Sequence, residues 1–156
     1  MKLPYKKGAP WSELEQPSLV NAITYQLNDM KNPRMLLLIG TLLMALSVAL
    51  GAFGAHALKA RLTASGRLET YELGIRYMMF HALGLILLGI LVDRYPALHT
   101  AGILLLVGVF FFSGSLLALS LTNTPGWGAV APIGGTALIA GWLFAAWTIF
   151  QSKAGQ

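Results

Sequence analysis

From Tyr95 to Ser152 the chain contains no Asp, Glu, Lys or Arg. About a quarter of the residues of a soluble domain are charged, so a stretch this long without one belongs in lipid. The whole chain agrees: 56% of its 156 residues are hydrophobic and 11% charged. In water, so apolar a chain would expose large adhesive patches. All charged residues but Lys153 lie in the first 94 positions, so the net charge of +5 is concentrated there. This pattern reads as membrane orientation and attraction to anionic headgroups. It does not read as nucleic-acid binding, because no basic strip interleaves with aromatics. Cysteine is absent, which excludes disulfides, thiolate metal sites and cysteine nucleophiles.

Four apolar segments follow a polar tail, with spans expected at about 35–55, 73–92, 101–121 and 129–150. Met35 to Ala55 carries no charge and, at about 1.5 Å per residue, crosses a roughly 30 Å hydrocarbon core. Thr41, Ala45 and Ala49 repeat at four-residue spacing on it, and Ser47, Gly51 and Ala55 do so on a neighbouring face. Small residues at this spacing let helices approach closely, so packing along much of this helix is expected. The second segment extends from Arg67 to Val92, but only Tyr77 to Val92 is free of charge. It reads as one long helix whose first turns lie among the headgroups. Glu72 precedes Arg76 in the favourable order for an ion pair. Asp93-Arg94-Tyr95-Pro96 connects to the third span, which carries Ser113-Gly114-Ser115. Thr122 to Gly126 is a strong turn signal. The fourth span has Pro132 near its start, then Gly134, Gly135 and Gly141. Gly51, Gly54, Ser113, Gly114, Ser115, Gly134, Gly135 and Gly141 are the expected helix-packing positions.

Residues 1–34 form a polar tail with Pro4, Pro10, Pro17 and Pro33, and lack the apolar core of a signal peptide. Leu19, Ile23, Leu27 and Met30 fall on one stripe of a helix. With Trp11, that stripe is expected to lie in the membrane interface or to dock on a partner, the plainer alternative being a surface helix folded against the protein's own loops. Residues 151–156 are a short C-terminal tail. Four spans put both termini on one side. Lys2, Lys6, Lys7, Lys31, Arg34, Arg94 and Lys153 share that side, and Lys59, Arg61, Arg67 and Arg76 lie opposite. Seven basic residues against four favour both termini in the cytoplasm.

At GAFGAHAL (51–58), RYMMFHAL (76–83), FSGSL (112–116), PIGG (132–135) and Gly141-Trp142 the chain resembles a family of small four-helix inner-membrane proteins. That family carries a domain of unknown function, number 423, and has relatives in mitochondria-bearing organisms. The resemblance covers roughly Met35 to Phe150. It implies a four-helix integral membrane protein and no activity, since the family has none established. The tail up to Arg34 is longer than is usual for the family.

His56, Glu72, Arg76, Tyr77 and His81, with Asn123 as a further candidate, form the one polar cluster that could carry chemistry. Ionisable groups at membrane depth often mark a proton or ion path, and histidine can relay protons at physiological pH. The simpler reading is that they satisfy backbone freed at helix ends, and that reading is preferred. His56, His81 and Glu72 lack the spacing of a metal site, and Ser113 and Ser115 lack a nucleophile elbow. No catalytic residue, metal or cofactor is therefore expected. His99 reads as a loop residue.

The expected fold is all-α: a four-transmembrane-helix integral membrane bundle with an amphipathic N-terminal interfacial helix. The expected function is non-catalytic, as an accessory or assembly subunit of a larger inner-membrane complex. The expected contacts are lipid and other membrane-protein subunits or a second copy. The alternative is a small transporter or channel using the His/Glu/Arg cluster as a proton relay.

Overall fold

The computed structural model describes residues 33–152. The tail positions Trp11, Leu19, Ile23, Leu27 and Met30 lie outside the described residues.

Each long apolar run folds as one helix, because a backbone in lipid must satisfy its polar groups internally. Helix α1 is Pro33–Ala55, with its proline at the first position, where a missing N–H costs little. A short helix α2, Lys59–Ala64, follows. Gly66 then takes a left-handed φ of 66°, and the chain turns into α3, Leu68–Leu91. Helix α4 is Leu98–Thr122. It stops at Asn123, which adopts φ 53° and returns its amide to the Leu119 carbonyl at 2.8 Å. A 3₁₀ turn, Pro125–Ala129, leads into α5, Ala131–Ser152. No strand occurs among the described residues.

Four of these helical stretches are long and apolar enough to cross a membrane: Arg34–Ala55, Leu68–Leu91, Leu98–Thr122 and Pro125–Ser152. Helix α3 matches the single long helix expected from Arg67 to Val92, with the expected span at 73 inside it, and α5 extends to Ser152.

The helices pack in the order α1, α3, α4, α5, so α3 and α4 are central and α1 and α5 flank them. Leu85, Leu98, Ala101 and Leu105 are fully buried at the centre, with Leu36, Met78, Leu88, Val109, Leu138 and Ala145 around them. A second small cluster, Leu62, Tyr71 and Ile75, seats α2 on the start of α3. Outward-facing Leu42, Phe53, Phe80, Phe110, Ile133, Ile139, Leu143 and Phe150 are exposed, as lipid contact demands.

Glycine permits the closest approaches. A Cβ on Gly134 would collide with the backbone of Phe112, so α5 lies directly on α4 there. On Gly141 it would come within 2.8 Å of Leu105 Cδ2. Of the expected packing positions, Gly54, Ser113, Ser115, Gly134 and Gly141 are buried, and Gly51 and Gly135 are half-buried. Gly114 differs. It faces outward with nothing of the chain within 4 Å of a Cβ. Helix α5 packs instead one residue before the Ser-Gly-Ser segment of α4, because Phe112 is where the α4 backbone meets Gly134.

The small-residue repeats of α1 also divide. Ser47 is buried, whereas Thr41, Ala45 and Ala49 point away from the bundle. Only 17% of the apolar window of α1 is buried, against 50% for α3. Helix α1 thus packs along one side and presents its other small-residue ladder outward.

Candidate functional site

The loop after α1 supplies the first polar constellation. Helix α4 ends with unsatisfied carbonyls and a partial negative charge. Arg61 Nη2 donates to the Leu121 carbonyl at 2.7 Å, and Arg67 Nε donates to Asn123 Oδ1 at 2.8 Å. Two cations from the α2 region thus cap the end of α4. Arg61 and Arg67 entered the sequence reading only as topology charges. The available signal was two arginines opposite an Asn that closes a helix.

Tyr71 is the second group that sequence reasoning missed. Its ring lies where a Cβ on Gly54 would be, and its hydroxyl donates to the Leu50 carbonyl at 2.8 Å. Gly54, near the end of α1, therefore serves as the seat of a buried tyrosine.

Among the cluster residues, Glu72 and Arg76 are both exposed and line a cavity of about 250 Å³ between α1 and α3, with Gly51, Gly54 and Tyr71. Although one turn apart in the favourable order, they do not close a salt bridge with one another. Both side chains sit on the outer surface of α3, where solvated or headgroup partners compete for them. His56 is exposed just past the end of α1.

His81 is elsewhere. It lies thirteen residues into α3, so it is about 20 Å along the axis from the Leu68 end. His56 and His81 thus stand at different levels: Gly54, two residues before His56, lies beside Tyr71, and His81 is about 15 Å further along α3. His56, Glu72, Arg76, Tyr77 and His81 form no single cluster, and His56, His81 and Glu72 do not converge on a common point. Asn123 joins Arg67 rather than either histidine.

His81 instead sits in an aromatic setting. Its Nδ1 is 2.7 Å from the Tyr77 carbonyl. A carbonyl only accepts, so Nδ1 carries the proton. The imidazole stacks on Tyr77 with centroids 5.9 Å apart and lies 6.2 Å from the Trp142 ring. Tyr77 also contacts Phe112 at 4.5 Å. A groove of about 410 Å³ opens beside them, floored by Tyr77, His81 and Phe112 and walled by Leu138, Ile139 and Trp142 of α5. Ser113 Oγ is fully buried without a hydrogen-bond partner among the described residues.

Four lipid-facing helices held by glycine contacts define an integral, multi-pass membrane protein. A sequence model of the family described as "Protein of unknown function (DUF423)" matches residues 50–135, and the chain belongs to that family. It is 42% identical over 111 residues to the UPF0382 membrane protein SH2409 of Staphylococcus haemolyticus, covering 70% of this chain and 90% of that protein. It is 38% identical to the UPF0382 membrane protein YwdK of Bacillus subtilis, covering 70% and 91%. The UPF0382 inner membrane protein YgdD of Escherichia coli K12 is 37% identical, covering 61% and 73%. No solved structure gives a significant match.

Proposed function

We propose that this membrane protein is a non-catalytic accessory or assembly subunit of a larger inner-membrane complex, with α1 as its docking helix and both termini in the cytoplasm. The observation that supports this reading is the outward ladder Thr41, Ala45 and Ala49 on a helix with 17% of its apolar window buried. Lipid gives helices no hydrophobic reason to associate. Small residues at four-residue spacing are what lets a second helix come close. The inner-membrane location follows that of the relative YgdD, an inner membrane protein by name. The tail of residues 1–34 adds a second means of reaching a partner.

Distance speaks against the transporter alternative. A relay needs its groups in hydrogen-bonding sequence. His81 lies about 15 Å along α3 from Tyr71, the level at which Gly54 sits two residues before His56, and the span from Tyr95 to Ser152 adds no charge.

The test is purification from native membranes in mild detergent, with mass spectrometry of what remains bound. A stoichiometric partner is expected. Ala45→Leu, which fills the outward ladder and touches nothing buried, is expected to reduce its recovery at least tenfold with unchanged thermal stability. Deleting residues 1–34 is expected to weaken it further. A protein that runs alone, or a partner retained equally by the Ala45→Leu variant, would overturn the proposal.

A further inference from the structure

We infer that the groove beside His81 is a binding site for a flat, membrane-dissolved hydroxyaromatic molecule of the hydroquinone class. Its ring lies against Tyr77, Phe112 and Trp142, and one hydroxyl donates to His81 Nε2.

The argument begins with the imidazole. His81 is 7% exposed. Its Nδ1 proton is committed to the Tyr77 carbonyl, so in the neutral ring Nε2 presents a lone pair. Nε2 has no partner among the described residues. Ser113 Oγ is the fully enclosed side-chain polar atom left without one there. Nε2 therefore opens onto the groove that His81 lines. A buried acceptor with nothing to accept from carries a desolvation cost, and a donor in the groove removes it.

Depth selects the class of donor. His81 stands about 7.5 Å along α3 beyond Arg76, inside the charge-free part of the helix, and about 15 Å from its other end. An acyl chain reaches that depth but donates no hydrogen bond. A metal ion would need more ligands than one imidazole. What remains is a molecule that dissolves in the hydrocarbon and carries its own hydroxyl. Tyr77 and Trp142 flank the imidazole and Phe112 packs on Tyr77, and ring on ring is favourable beyond area alone. The groove volume of about 410 Å³ suits a single substituted ring, and its open side leaves an alkyl tail in the bilayer. A quinone, whose carbonyls only accept, mismatches the same nitrogen. The site thus prefers the reduced form. Binding alone is inferred, and no electron transfer is involved.

The test uses the full chain with Trp11, Trp127 and Trp147 changed to Phe, so that Trp142 reports alone. In phosphatidylcholine nanodiscs it is titrated with decylhydroquinone and, separately, with the dimethyl ether of the same compound, which has no donor. Saturable quenching of Trp142 by the hydroquinone is expected, with the ether at least tenfold weaker. His81→Phe keeps the aromatic packing and is expected to bring the hydroquinone down to the affinity of the ether. Ile139→Phe, at an exposed position on the groove wall, is expected to weaken both. Equal affinity for the two probes would reveal an acyl-chain groove and overturn the inference. So would hydroquinone binding unchanged by His81→Phe. Should His81→Phe fail to fold, the comparison of the two probes on native His81 still decides.

Discussion

Two glycines illustrate how much a single residue means in this bundle. A Cβ on Gly134 would run into the backbone of Phe112, which has no rotamer to move aside. Gly134→Val is therefore expected to cost ~3 kcal/mol or more, the upper part of the overpacking range, because the two helices must separate. Gly114 has nothing within 4 Å, and sits in the interior of α4. Gly114→Ala is expected to stabilise by up to ~1 kcal/mol, by lowering the chain entropy that folding must overcome. Unfolding midpoints in one detergent should move in opposite directions for the two variants. A loss at Gly114 comparable to that at Gly134 would contradict this assignment of faces. Both glycines look alike in sequence, since each belongs to a small-residue motif. Spacing shows that a face is small, not which neighbour, if any, it meets. The same limit hid Tyr71, an aromatic on an amphipathic turn whose counterpart is Gly54, seventeen positions earlier.

The four membrane helices were plain in the sequence because charge-free length is a direct physical requirement of spanning. Their packing order was not, because every helix here is apolar nearly all round. The start of α3 at Leu68 was legible from Glu69 and Glu72 as headgroup-level residues. It was the overlooked consequence for depth that misplaced His81. The end of α4 is where an element shows most clearly what stabilises it. Asn123 supplies the left-handed stop, Arg61 takes the Leu121 carbonyl, and Arg67 holds the Asn123 side chain. Replacing both arginines with glutamine removes the cations from a helix C-terminus. The Asn123 amide, bonded to Leu119, is then expected to exchange about two- to fivefold faster, the equivalent of the usual helix-dipole contribution. Amides in the middle of α3 should keep their rates. Uniformly faster exchange would mean that the arginines hold the whole bundle, and unchanged exchange at Asn123 would mean that they hold nothing.

For the whole molecule, the open question of direction reduces to a balance of charge. The connection between α1 and α3 lies on the same side as the α4 to α5 turn, since Arg61 and Arg67 reach residues 121 and 123. That side carries Lys59, Arg61, Arg67 and Arg76, of which two are tied to the end of α4. Read from the sequence, the seven other basic residues, Lys2, Lys6, Lys7, Lys31, Arg34, Arg94 and Lys153, are expected on the opposite side. Positive residues near span ends are retained in the cytoplasm, so the seven-residue side is expected there. Because the chain has no cysteine, a single introduced thiol reports its own compartment without background. Ala57→Cys lies in the exposed connection after α1, and Ala97→Cys in the exposed connection before α4. In right-side-out vesicles a membrane-impermeant maleimide is expected to label Ala57→Cys at once and Ala97→Cys only after the membrane is opened. The reverse pattern would place the termini outside. It would also make the arginine cap of α4 a cytoplasmic feature, so that its two bound cations, rather than the seven opposite, would have set the orientation.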